Sequence, residues 1–192
     1  MKKTATVFLI FFLWSSSGAF AQESPKILIA YFSKSGSTAA LAESIAKGAE
    51  SVSGVEVWLR SIDQIQTNEI LEASAIILGS PVYNANPAPE VLEFINSWPF
   101  ENRPLKDKIG AAFATGGGIS IGEEEVMMSI MRSMLIHGMI LVGGENVEAS
   151  FGASGITGEG PFSKEKMDPL FLDKGLGLGK RVAEWAKKSK GI

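Results

Sequence analysis

Five short apolar runs recur along this chain: Ile27–Phe32, Val55–Leu59, Ala75–Leu78, Ile109–Ala114 and Met139–Val142. They are near-continuous. A strand with one wet face alternates polar and apolar positions, so unbroken runs mark strands covered on both faces. Between the runs, apolar residues return every three or four positions, the helical period. The spacing predicts a helix over Thr38–Val52, with Leu41, Ile45 and Ala49 on one face. A second opens at Pro87-Ala-Pro89 and carries Val91, Leu92, Ile95 and Trp98. A third covers Ile121–His137, and a fourth Pro169–Lys188 with Leu172, Leu176, Val182 and Trp185. Proline in a first turn is a start signal, because the N–H it lacks has no intrahelical partner there. Strands alternating with helices predict an α/β fold with a doubly wound five-stranded parallel sheet in three α/β/α layers. No internal repeat or linker divides the chain.

The first 21 residues stand apart from this plan. Met1-Lys-Lys3 is basic, Thr4–Phe20 is apolar apart from Ser15-Ser-Ser-Gly18, and Ala19-Phe-Ala21 has the small-x-small form of a signal peptidase site. This predicts a signal peptide over 1–21 and a single exported domain over 22–192, periplasmic or secreted after cleavage near Ala21. The apolar core is short for a spanning helix, and no membrane span is expected in the mature chain. Without Lys2 and Lys3 the basic residues fall from 18 to 16 against 21 acidic ones, a net charge of −5. That balance argues against nucleic-acid binding. There is no cysteine. Disulfides, thiol chemistry and cysteine-held clusters are therefore excluded, and a redox role needs a bound cofactor. His137 is the only histidine, so no transition-metal site is expected. Met127, Met131 and Met134 follow i, i+4, i+7 spacing, which reads as a packed helix face rather than a copper site.

Parallel sheets bind ligands beyond the carboxyl ends of their strands. After the first run comes Ser33-Lys-Ser-Gly-Ser-Thr38, leading straight into a helix. Free backbone N–H groups and the positive end of the helix dipole make such a turn an anion site. Four hydroxyls add donors, and Gly36 permits close approach. Neither the Walker A pattern nor the dinucleotide Gly-x-Gly-x-x-Gly is present, so the loop suits a terminal phosphomonoester. After the third run, Pro81-Val-Tyr-Asn-Ala-Asn86 offers a flat tyrosine face and amides. After the fourth, Thr115-Gly-Gly-Gly118 allows backbone to pack against a planar ring. Glu123-Glu-Glu125 reads as first-turn charge complementing a helix dipole, and His137 as a cation at the same helix's end.

These loops resemble known signatures. Tyr31, Ser33, Gly36, Thr38, Ala42 and Ile45 fall at the spacing of the flavodoxin FMN-phosphate signature, with Ala30 a departure. Gly79-Ser-Pro-Val-Tyr-Asn-Ala-Asn86 resembles the Gly-Thr-Pro-x-x-x-Gly-Asn stretch of WrbA-type NAD(P)H:quinone reductases. Thr115–Gly118, Ile136-His-Gly-Met139 and Phe151-Gly-Ala-Ser154 resemble that family's glycine loop, His-Gly-Met and Tyr-Gly-Ala-Thr segments. Ala85 replaces a glycine, and the segment between Val142 and Phe151 is much reduced. In that family this segment helps build a tetramer with shared active sites, so a homo-oligomer, dimer or tetramer, is an open expectation.

The resemblance implies FMN held by Ser33, Lys34, Ser35, Gly36, Ser37 and Thr38, by Pro81, Val82, Tyr83, Asn84 and Asn86, and by Thr115, Gly116, Gly117 and Gly118. It implies His137 over the flavin pocket as the catalytic group, with Trp98 and Phe100 near the substrate. The implied reaction is hydride transfer from NAD(P)H to FMN, then two-electron reduction of a quinone. An exported protein meets no pool of NAD(P)H, which leaves the donor open and admits a redox-partner protein as acceptor. A flavodoxin-type electron-transfer protein and a flavin-binding protein without turnover are the alternatives.

Overall fold

The computed structural model describes residues 23–191, so the signal-peptide reading lies outside the described residues. The strands are β1 (Lys26–Tyr31), β2 (Glu56–Ser61), β3 (Ala75–Tyr83), β4 (Asn86–Pro87), β5 (Ile109–Gly116), β6 (Ile140–Leu141) and β7 (Ala153–Ile156). The helices are α1 (Ser37–Glu50), α2 (Thr67–Glu72), α3 (Pro89–Asn96), α4 (Glu123–Ile136) and α5 (Pro169–Ser189). The parallel sheet runs β2-β1-β3-β5-β6, with β4 added to β3 and β7 to β5. The expected five-position sheet is present, but it contains seven strands. Ile140 and Leu141 pair with Ile109 and Gly110, whereas Ala153–Ile156 pair with Phe113–Gly116. The fifth position is thus one strand interrupted by residues 142–152.

Each strand feeds two cores. Ile27, Ile29, Ile77 and Phe113 pack beneath α1 and α5, while Leu28, Ala30, Ile76 and Leu78 pack beneath α2, α3 and α4. Burial on both faces is why these segments read as unbroken apolar runs. Met127, Met131 and Met134 are buried in the second core, as their spacing predicts. The helix expected from Pro87 begins later: Pro87 pairs with Val82, and Pro89 takes the first helical position. The helix expected from Ile121 starts at Glu123, after Gly122 at φ 109.

Helices α1 and α5 approach closely enough that glycines of each meet backbone of the other. A Cβ on Gly179 would lie 1.9 Å from the Ile45 carbonyl oxygen, and one on Gly48 2.0 Å from that of Leu176. The Ser44 hydroxyl donates to the Leu172 carbonyl at 2.6 Å across the same seam. Among the described residues no helix is long and apolar enough to cross a membrane.

Candidate functional site

The register sets the ends of β1, β3 and β5 side by side: Tyr31 lies opposite Gly79, and Pro81 opposite Thr115. Three loops therefore leave one sheet edge together.

The first runs from Phe32 to the start of α1. Gly36 caps the helix at φ 95 with nothing within 4 Å of a Cβ built on it, and α1 has no acidic residue in its first turn. Among the described residues, the amides of Ser37, Thr38 and Ala39 reach no backbone carbonyl. Bare amides and an uncompensated dipole end make this an anion site. The hydroxyls are not equivalent. Ser33 Oγ accepts the Gly36 N–H at 3.1 Å, and Ser37 Oγ lies 3.2 Å from Thr157 Oγ1. Lys34 and Ser35 are exposed. Thr38 differs from expectation: it is buried, and its Oγ1 is 2.8 Å from Thr115 Oγ1. Its hydroxyl ties two loops instead of facing a ligand, and only its amide remains open.

The second loop is the β3–β4 hairpin. Asn84 and Ala85 take φ 51 and 60, the left-handed pair of a type I′ turn. Ala85 thus occupies a position that favours glycine. Asn86 Nδ2 donates to the Asn84 carbonyl at 2.7 Å, closing the turn. Buried Ser80, which the sequence did not single out, accepts the Ala88 N–H and donates to the Pro81 carbonyl, both at 2.8 Å. Pro81 and Val82 are half-buried, and Tyr83 is exposed beside them.

In the third loop, Gly117 is exposed, with only the Thr157 carbonyl near a built Cβ, at 3.9 Å. Its amide and that of Gly118 lack an acceptor among the described residues. Gly116 and Gly118 face side chains: built Cβ atoms would lie 2.5 Å from Glu123 Oε1 and 2.6 Å from Glu159 Oε2. Glu159 accepts the Ile119 N–H at 2.5 Å, and the Thr157 N–H donates to the Gly116 carbonyl at 3.0 Å. The turn after β7 therefore straps the loop in place. Neither Thr157 nor Glu159 carried a sequence signal, because the contacts reach across roughly forty residues or more.

His137, Trp98 and Phe100 are not brought to this edge. His137 ends α4, whose first turn is at the loops, and about 20 Å of helix separates the two ends. Its ring lies 5.5 Å from Trp98 and 5.1 Å from Phe100, lining a cavity of about 320 Å³ with Ile95, Asn96, Ser133 and Ile136. His137 Nδ1 and Trp98 Nε1 are buried without partners. Burial, then the nearby Arg103 charge, pushes the His137 pKa down. His137, which the resemblance implies over the flavin pocket, thus lies away from the three loops of its own chain.

A separate cavity of about 480 Å³ adjoins Ser33, but Asp63, Glu90 and Glu93 line it and disfavour a phosphate. Among the described residues no group of histidine and acidic side chains can hold a metal ion. The three loops together fit a ligand with a phosphomonoester at one end and a flat ring at the other. Open amides suit the phosphate, and the exposed Gly117 backbone and the Tyr83 hairpin, on adjacent strands, suit the ring.

Comparison with known proteins agrees with this geometry. The flavodoxin domain profile matches residues 28–134, more than half the chain. A flavodoxin of Aquifex aeolicus is 29% identical over 170 residues, covering 83% of this chain and 86% of that protein. An NAD(P)H dehydrogenase (quinone) of Archaeoglobus fulgidus is 29% identical over 192 residues, covering 85% of this chain and 98% of its own length. The solved flavodoxin, WrbA-like protein from Agrobacterium tumefaciens superposes with a TM-score of 0.70 at 22% identity, over 86% of this chain and 99% of that one. These likenesses support the WrbA-type resemblance seen in the motifs. With its sheet order, its bare α1 start and its profile match in agreement, the chain belongs to the flavodoxin family, a membership that implies flavin mononucleotide as its ligand.

Proposed function

We propose that the chain is an FMN-dependent oxidoreductase that reduces quinones by two electrons, with NAD(P)H or another donor. The observation that carries the reading is the meeting of three loops at one edge, one suited to the phosphate of FMN and two to its ring. Bound there, FMN would supply hydride and single-electron chemistry. The chain's own residues bind and orient. The Ser37–Ala39 amides and the hydroxyls of Ser33, Ser35 and Ser37 hold the phosphate. The hairpin and the Gly117–Gly118 backbone hold the ring edge, and the Thr38–Thr115 hydroxyl pair fixes the distance between the two.

His137, Trp98 and Phe100 reach a ring only when it is held by another copy of the chain, since they occupy the opposite edge of their own sheet. The proposal therefore includes a homo-oligomer in which this aromatic cluster faces a neighbour's site and orients the quinone. A second reading, an exported flavodoxin-type electron-transfer protein, is favoured by the signal-like Met1–Ala21 segment and by the Aquifex aeolicus relative.

The test is an absorbance spectrum of the purified chain with FMN. A bound band bleached by NADPH and restored by benzoquinone supports the reductase. A bound band that NADPH leaves intact supports the electron-transfer reading. No binding at micromolar FMN refutes both.

A further inference from the structure

Helices α1 and α4 both start at the ligand edge, with opposite electrostatics. The first turn of α1 carries no acid, whereas that of α4 carries Glu123, Glu124 and Glu125. Glu124 and Glu125 are exposed, and complementing the dipole explains them. Glu123 is different. It is 4% exposed, and its Oε1 is buried without a hydrogen-bond partner. It sits where two ring-holding loops converge: its Oε1 is against Gly116, and its neighbour Gly122 is against Ala85 of the hairpin. A buried acceptor with no donor costs the fold stability, and an apolar residue there would serve packing better. The missing donor is then to be sought in the ligand.

We propose that Glu123 is a ligand-binding residue whose carboxylate accepts the imide N–H of the ring held between the hairpin and the glycine loop. This rests on the flavin reading above. The isoalloxazine carries a single ring N–H, set between two carbonyls. The unpaired amides of Gly117 and Gly118 are donors and answer carbonyls; they cannot answer an N–H. The carboxylate is a buried acceptor without a partner beside these donors, and it answers the N–H between the two carbonyls. The site thereby selects rings with a carbonyl–imide–carbonyl edge over flat rings without an N–H.

The experiment compares FMN with 3-methyl-FMN, which lacks the imide hydrogen, by fluorescence titration of the wild-type chain, Glu123→Gln and Glu123→Leu. A hydrogen bond to a charged group predicts that the wild type prefers FMN by about 30-fold. In Glu123→Leu the preference shrinks below about threefold, while the flavin-free protein melts no lower than wild type, because an unsatisfied carboxyl has gone. Glu123→Gln keeps the shape with a neutral acceptor and shows an intermediate preference, which decides the matter should the leucine variant not fold. Equal binding of the two flavins by wild type overturns the proposal and leaves the FMN site standing, as does an undiminished preference in both variants. Wild type that binds neither flavin removes the FMN site itself.

Discussion

The hydroxyl pair of Thr38 and Thr115 offers a sharp test of how the site is assembled. Both residues are almost fully buried, 2% and 4% exposed, and their Oγ1 atoms are 2.8 Å apart. Thr38→Val removes one hydroxyl at nearly constant volume and leaves the other buried without a partner. The expected cost is about 1–3 kcal/mol, or roughly 2–12 °C in melting temperature for a domain of this size. Thr115→Val strands the Thr38 hydroxyl and costs a similar amount. The double variant strands nothing, so its cost is far below the sum, with a coupling energy of about 1 kcal/mol or more. Urea denaturation of the four proteins gives the cycle, with unchanged m-values as the check that only stability moved. Costs that simply add would refute the claim that this pair ties the phosphate loop to the glycine loop. FMN titration provides the functional counterpart: each single variant loosens the spacing between the loops and weakens binding.

Other positions separate backbone from packing effects. Gly36→Ala adds a methyl to open space, so its cost is only the left-handed strain of about 1 kcal/mol; it weakens FMN but not riboflavin, measured by titration, because the strain falls on the phosphate turn. Gly179→Ala drives a Cβ into the Ile45 carbonyl and costs about 1–3 kcal/mol before a helix-propensity gain of about 1. Gly177→Ala, which meets only the Glu145 side chain, keeps the gain without the clash, and denaturant midpoints should move in opposite directions. His137 has its pKa lowered in the fold, so its contribution is present above the unfolded value of about 6.5 and is lost as pH falls through the folded one. Stability measured across this acidic range should decline less in His137→Phe.

The strands were legible because both sheet faces are buried, which turns each into an apolar run. What escaped notice was short or nonlocal. The β4 strand is two residues long and contains a proline, and β7 is Ala-Ser-Gly-Ile, too small and mixed for an apolar run. The hexapeptide α2 helix buries only Ile70 and leaves no periodic face. The phosphate loop was readable because a helix start is a local event. Glu159 and Thr157 were not, since only the folded chain brings them to Ile119 and Gly116. The position of His137 was not legible for a related reason: a motif fixes what a residue is next to in the chain, whereas the length of α4 carries it to the far edge.

The glycine seam between α1 and α5 also governs when folding can finish. The face that α1 presents, near the beginning of the described chain, is covered by α5, a helix of 21 residues that lies far along the sequence from it. No earlier helix can substitute, because the backbones touch only where glycines on α5 meet carbonyls on α1 and the reverse. Until α5 docks, the side of the sheet that it shares with α1 is only partly covered, and contacts of such long sequence separation form late. Withholding α5 therefore leaves the first core unfinished, while the second, built without any residue of α5, can already close.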